Sequence, residues 1–182
     1  TGMLYVPSRN IAVAIPLYSP DGALGATMRY THGAPEQQRL QQAGNYQAQM
    51  PQGLPLLKPP YSRMTAIDMN TGDHVWMGPL GNGDRVRNHP RLRHLNLPPV
   101  GDGTIAGPVL TKTLLISSIP TGGPSGGPGL VAWNKQTGEI VGSVDLPAGT
   151  VGTPMTYMVD GKQYVALGIG GGPRMIAFAL PD

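Results

Sequence analysis

Few residues in this 182-residue chain are of a type that could hold a metal, move a proton or attack a bond. The four histidines are His32, His74, His89 and His94. A metal site needs imidazoles at helical or hairpin spacing, beside carboxylates or one another. His89 and His94 are five apart across Pro90 and match neither pattern, so all four read as solvated loop histidines. There is no cysteine, which excludes a disulfide framework and a thiolate metal site. Asp68, Asp73, Glu139 and Asp160 stand at expected turns, where structural roles account for them. No Ser-His-Asp set or pair of carboxylates can be singled out. Arg85, Arg87, Arg91 and Arg93, with His89 and His94, form a basic stretch that suits an anion or a solvated loop clasping a rim. Gly168-Ile169-Gly170-Gly171-Gly172 lacks the Lys-Ser/Thr of a phosphate loop and opens no expected helix. It reads as backbone passing close to something flat, or as a bulge and turn.

The elements that must position these residues are strands. Gly (27) and Pro (20) make up about a quarter of the chain, and they punctuate apolar, β-branched runs. A repeated unit decides the architecture. Ala66-Ile67-Asp68-Met69-Asn70-Thr71-Gly72-Asp73 superposes on Ala132-Trp133-Asn134-Lys135-Gln136-Thr137-Gly138-Glu139. In each copy a strand ends at Asp or Asn, whose side chain can cap a tight turn, and Gly supplies the positive φ that the turn needs. Trp76 follows in the first copy and is expected to fill the space between neighbouring sheets, mostly buried; Gly142 takes its place in the second. Met175 to Ala179 matches Met64 to Asp68 as a truncated third copy. Irregular repeat spacing is what propeller blades with loop insertions give.

Further strands are expected over Met3 to Ile15, interrupted by Pro7-Ser8-Arg9-Asn10, and over Gly107 to Ile119, with a turn at Thr111-Lys112-Thr113. Met155 to Val159 and Gln163 to Leu167 flank Asp160-Gly161, a strong hairpin signal. The insertions are 18–60, where Pro35 to Leu40 could start a short helix, 81–103, and 120–129, a Gly/Pro loop. The expected fold is all-β: residues 1–182 form a partial β-propeller domain of about three blades. The net charge of +3 is too small to imply nucleic-acid binding, which would also need interleaved aromatics or a recognition fold. No run approaches a membrane span. The opening Thr1-Gly2 into Met3-Leu4-Tyr5-Val6, with neither a Met start nor a signal peptide, is expected of the middle of a β protein.

At this point the motifs carry a family. Pro59-Pro60-Tyr61-Ser62-Arg63-Met64-Thr65-Ala66-Ile67-Asp68 through Gly72 resembles a blade of the pyrroloquinoline quinone (PQQ)-dependent dehydrogenases, the membrane-type glucose dehydrogenase group in particular. Arg85 to Pro90 running to Leu95-Asn96-Leu97-Pro98-Pro99 is similar to an insertion in a subgroup of that family. Thr153-Pro154-Met155-Thr156-Tyr157 through Val165 resembles its penultimate hairpin.

The resemblance implies an eight-bladed propeller with PQQ and Ca²⁺ on its axis, a catalytic Asp as base, and oxidation of a sugar, polyol or alcohol. That Asp, the Ca²⁺ ligands and the ring-stacking Trp are expected upstream of Thr1, so no catalytic or metal-ligating residue is assigned here. Arg9 and Asn10 fall where some members place an Asn against the quinone carbonyls. Ile105-Ala106-Gly107 falls where related alcohol dehydrogenases have Trp-Gly-Gly, so Ile105 replaces stacking by apolar contact and Gly107 stays glycine. Gly170-Gly171-Gly172 matches a Gly-Gly-Trp or Gly-Gly-His run at the pocket, with Gly172 in place of the large residue. The implied partners are the remaining blades, the substrate, and a quinone or cytochrome electron acceptor. The implied compartment is the periplasm, with membrane attachment through a missing N-terminal segment. The chain alone is expected to be inactive. Two other readings stay open: a cofactor-free propeller scaffold of the outer-membrane assembly type, and a gene remnant without activity.

Overall fold

The computed structural model describes residues 2–13 and 48–179. The chain divides into two compact units, residues 11–58 and residues 1–10 with 59–182. In the smaller unit Met50 N–H donates to Leu54 O and Gly53 N–H to Met50 O, which closes a turn beside the Gln49–Pro55 bridge. Most of the 18–60 insertion, including the helix expected at Pro35 to Leu40, lies outside the described residues.

Among the described residues the larger unit holds ten strands: β1 (Met3–Arg9), β2 (Ser62–Asp68), β3 (His74–Pro79), β4 (Val109–Leu110), β5 (Leu114–Ile119), β6 (Gly129–Asn134), β7 (Ile140–Asp145), β8 (Thr150–Val159), β9 (Lys162–Ile169) and β10 (Arg174–Ala179). They form three antiparallel meanders, β1-β2-β3, β4-β5-β6-β7 and β8-β9-β10. These are three propeller blades in chain order. β1 runs straight through Pro7 to Arg9, where an interruption was expected. It lies at the edge of its sheet among the described residues, and an edge strand tolerates proline's missing N–H. The 81–103 insertion adds one helical turn, α1 (Asp84–Arg87), and a 3-10 turn over Arg93–Leu95.

The repeat read from the sequence is a repeat in space. Ala66 pairs with Trp76 and Ala132 with Gly142, and each pair is followed by a register shift. Asp68 Oδ1 accepts Asn70 N–H at 2.8 Å, and Asn134 Oδ1 accepts Gln136 N–H at 2.9 Å. Gly72 N–H returns to Asp68 O and Gly138 N–H to Asn134 O. Both glycines have positive φ, 80° and 73°, which a side chain would strain.

The inner strands β5 and β6 of the middle sheet are buried on both faces, and the period of two decides which residue goes where. Leu115, Val131 and Trp133 pack with Met64 and Leu80 of the first blade and its connection. Their neighbours Ile116 and Leu130 pack with Leu167 and Ile169 of the third. Trp76 lies between the first two blades, as expected of a filler, but is partly rather than fully buried. Its Nε1–H donates to Lys135 O at 2.9 Å, and its indole covers Gly138, where a Cβ would stand 2.5 Å from the ring. Tyr5 Oη–H donates to the same carbonyl at 3.0 Å. Between the second and third blades a cleft of about 480 Å³ remains, lined by Leu114, Leu130, Ala132, Gly142, Val165 and Phe178 among others.

Candidate functional site

A meander sorts its connections by end. The turns 69–73, 111–113, 135–139 and 160–161 lie at one end of the strands, and the C-terminal end of β1 and the connections 80–108, 120–128, 146–149 and 170–173 lie at the other. Hydrogen bonds stitch the second group together. Asn82 N–H reaches Thr121 O at 3.3 Å, and Gly170 N–H donates to Gly149 O at 2.8 Å. Arg9, Asn10, Ile105, Gly107, Gly170 and Gly171 all belong to this end.

Arg9 is the last residue of β1, exposed and paired with Ser62. Asn10 N–H donates to Tyr61 O at 2.8 Å, which fixes its backbone at the strand end. Ile105 is 51% exposed, an apolar side chain displayed on the approach to β4. Gly107 lies against the Thr153 side chain of β8, and a Cβ there would overlap it. Gly170 and Gly171 open the β9–β10 turn, with Gly172 following at φ 136° and open space where its Cβ would be.

Two residues at this end escaped the sequence reading. Arg174 donates from Nη2 to Gly170 O at 3.0 Å, which places a guanidinium beside the glycine run. Its signal was a lone cation four residues after Gly170. Asp102 is the stronger omission, because the chain's carboxylates all read as turn or polar-loop residues. Its Oδ1 accepts Gly83 N–H at 2.9 Å and its Oδ2 accepts Thr121 N–H at 3.1 Å. The Thr121 hydroxyl lies 2.9 and 3.0 Å from the two oxygens. Burial pushes the Asp102 carboxyl above its usual range, and the Thr121 and Gly83 bonds oppose that rise. A carboxylate flanked by Gly101 and Gly103 was the only cue. At the far end of the same 120–129 loop, Asp145 accepts Ser125 N–H at 2.9 Å and the Ser125 hydroxyl at 2.6 Å.

The basic stretch behaves partly as a clasp. Arg87 Nε–H donates to Leu97 O at 2.8 Å and its guanidinium lies 3.5 Å from Asp84. Arg91 and Arg93 are exposed. Among the described residues no three His, Cys, Asp or Glu side chains group as a metal site, and no helix is long and apolar enough to cross a membrane. His32 lies outside the described residues.

A flat, anionic quinone asks for a flat wall, apolar contact and cations. Gly172 has open space at its Cβ position, Ile105 is half exposed, and Arg9 and Arg174 are exposed, each at this end of the strands. The described residues offer no donor set on which a Ca²⁺ ion could be tested.

The profile of the glucose/ethanol/alcohol dehydrogenase β-propeller domain, the PQQ type, matches residues 1–165. The chain is 38% identical over 137 residues to a quinate/shikimate dehydrogenase (quinone) from Acinetobacter baylyi, covering 70% of this chain and 16% of the relative. It is 32% identical over 140 residues to the quinoprotein glucose dehydrogenase of Escherichia coli, 72% of this chain and 17% of that one. A glycerol dehydrogenase large subunit from Gluconobacter thailandicus is 35% identical over 140 residues, 71% of this chain and 18% of the subunit. The chain thus spans less than a fifth of the length of these curated relatives. The solved quinohemoprotein alcohol dehydrogenase from Comamonas testosteroni superposes with a TM-score of 0.53 at 20% identity, over 98% of this chain and 24% of its own, a likeness in fold. With three meander blades, the doubled Asx-Gly turn and the profile match over residues 1–165, the chain belongs to the PQQ-dependent dehydrogenase β-propeller family.

Proposed function

We propose that the chain is the C-terminal portion of a PQQ-dependent dehydrogenase oxidising a sugar, polyol or alcohol, and that residues 1–182 serve as one partial propeller domain supplying blades and part of the cofactor wall. The observation that supports this reading is that the six candidate positions fall at the same end of their strands, away from the short turns. In this reading the cofactor supplies the oxidising chemistry, and the protein contributes binding, orientation and electrostatics. Gly170 and Gly171 present flat backbone, Ile105 gives an apolar face and excludes water, and Arg9 and Asn10 bring polar groups to the quinone edge. Gly107 lets the 101–107 segment close against β8. The base that takes the substrate proton and the Ca²⁺ ligands lie on other blades, which are the chain's principal partners. The relatives' names point to sugar, quinate or glycerol as the substrate class and to quinone as the electron acceptor, with cytochrome as its counterpart. The compartment is the periplasm.

The test is to purify the 182-residue chain, add PQQ and Ca²⁺, and assay sugar and polyol oxidation with an artificial electron acceptor. The lone chain is expected to give no turnover, and the remaining blades to restore it. Turnover by the lone chain would place a base within these residues and overturn the partial-wall reading. A cofactor-free scaffold would stay inactive with every blade present.

A further inference from the structure

Residues 101–107 cross all three blades at the candidate end. Gly101 lies flat on the backbone of Ser62 in β2, where a Cβ would overlap it, and Gly103 N–H donates to Ser62 Oγ at 3.2 Å. Asp102 N–H donates to Leu80 O at 3.0 Å, which completes the grip on the first blade. The Asp102 carboxylate then reaches to the second blade, where it holds both the amide and the hydroxyl of Thr121 as well as Gly83 N–H. A Cβ on Gly81 would overlap that carboxylate, so the connection around it is built to the carboxylate's shape. Ser117 Oγ lies 3.4 Å from Ala106 O, and Gly107 ends the crossing against Thr153 of the third blade.

A neutral acceptor could hold one loop at less desolvation cost. A carboxylate offers about four acceptor sites and can fix an amide and a hydroxyl of one partner together while accepting from a second segment. Its choice here fits a part whose position matters more than its cost. Ile105 follows three residues after Asp102 and Gly107 five.

We propose that Asp102 is a positioning residue for the cofactor: it locks the 101–107 crossbar to the 120–129 loop and so sets where Ile105 meets the quinone and how Gly107 seats the crossbar on the third blade. The inference rests on the functional reading above and adds to it a residue that touches no cofactor.

The test uses the full-length apoprotein and PQQ itself, titrated by quenching of intrinsic fluorescence, with the apoprotein's melting temperature measured beside it. Asp102→Ala and Thr121→Val should weaken PQQ binding by about tenfold to a hundredfold, the usual penalty for loosening a support behind a contact. Thr121→Ser, which keeps the hydroxyl, should bind within about twofold of the unmutated protein. Asp145→Ala, which frees Ser125 in the same loop from its carboxylate anchor, should leave the affinity unchanged. Lower melting temperatures in Asp102→Ala and Thr121→Val with unchanged affinity would overturn the positioning role alone. If Asp102→Ala does not fold, Thr121→Val decides the matter. Failure of the unmutated full-length protein to bind PQQ would overturn the functional reading and this inference with it.

Discussion

Trp76 and Gly138 form a couple whose energy can be worked from the structure. The indole lies on Gly138, donates to Lys135 O at 2.9 Å and stands 6.0 Å from the Tyr5 ring, tilted by 44°. Full burial of Trp makes truncation to Ala cost about 3–5 kcal/mol. Trp76 is partly buried, and Tyr5 still satisfies Lys135 O when the indole is gone, so Trp76→Ala should cost about 2–4 kcal/mol. Gly138→Ala meets two penalties. The positive φ of 73° costs about 1–2 kcal/mol for a residue with a Cβ. Overpacking against the indole adds about 1–3 kcal/mol. In a Trp76→Ala background the second penalty disappears and the first remains. The two substitutions should therefore be less destabilising together than their sum by about 1–3 kcal/mol. Urea unfolding of the full-length protein and its three variants measures this directly. Additivity within about 0.5 kcal/mol would show that the ring and Gly138 are not in contact and would refute the inter-blade role of Trp76.

The other expectations follow the same geometry. Gly142 occupies in the second copy the place of Trp76 in the first, has ordinary φ and open space at its Cβ position, and borders the 480 Å³ cleft, so Gly142→Trp should stabilise the protein by about 0.5–2 kcal/mol, read as a raised melting temperature. Gly161 follows Asp160 in a two-residue hairpin with φ 48° and 78°, and Gly161→Ala should cost about 1–2 kcal/mol in the same unfolding assay. The Ser125 bonds hold the Asp145 carboxyl below its ordinary value of 3.8; that contribution to stability is present above pH 3.8, is lost as pH falls through the lowered value, and should shrink in Ser125→Ala, which removes the hydroxyl bond and keeps the Ser125 N–H bond. Asp102 runs the other way: its raised carboxyl favours the folded state below pH 3.8 and loses that benefit as pH rises through the folded value, so acid titration of Asp102→Ala against the unmutated protein should show the opposite slope.

The turn end of the blades was legible in the sequence because its chemistry is local. Asp68 and Gly72, or Asn134 and Gly138, meet within five residues, and the turn they make is decided before any sheet packs. The Asp160-Gly161 hairpin was legible for the same reason. The strand through Pro7 was misread because proline is penalised by what lies beside it, and its position at a sheet edge is a tertiary fact. Asp102 was missed because its partners Gly83 and Thr121 are 19 residues away on either side, across a chain reversal that no spacing rule anticipates. Arg174 stands just before the copy that begins at Met175, and its bond to Gly170 O depends on a turn whose Gly171 and Gly172 adopt positive φ.

On the proposed function, the two ends of the strands divide stability from specificity for a physical reason. Connections at the turn end run from two to five residues, and each is fitted to a hairpin or to the next blade through Trp76 and Lys135. An added residue there would slip a register and move a whole strand's side chains to the wrong face. Within the larger unit, connections at the other end run from four residues, 146–149 and 170–173, to 29 residues, 80–108. What does fix that end is side-chain chemistry at a few points, Ser62 against Gly101 and Gly103, Asp102 against Thr121, and Asp145 against Ser125. Loop-closure entropy grows slowly with length, so such points can hold long insertions at little extra cost. Substitutions should therefore sort by end. Trp76→Ala and Gly138→Ala should lower the melting temperature of the full-length protein and leave kcat/KM of the folded fraction within about twofold, because a uniform loss of packing does not change differential binding of the transition state. Ile105→Ala should do the reverse, since a 51% exposed side chain contributes little to stability but faces the proposed pocket. A loss of stability in Ile105→Ala with unaltered kinetics would show that the displayed isoleucine packs against another blade and does not face a cofactor.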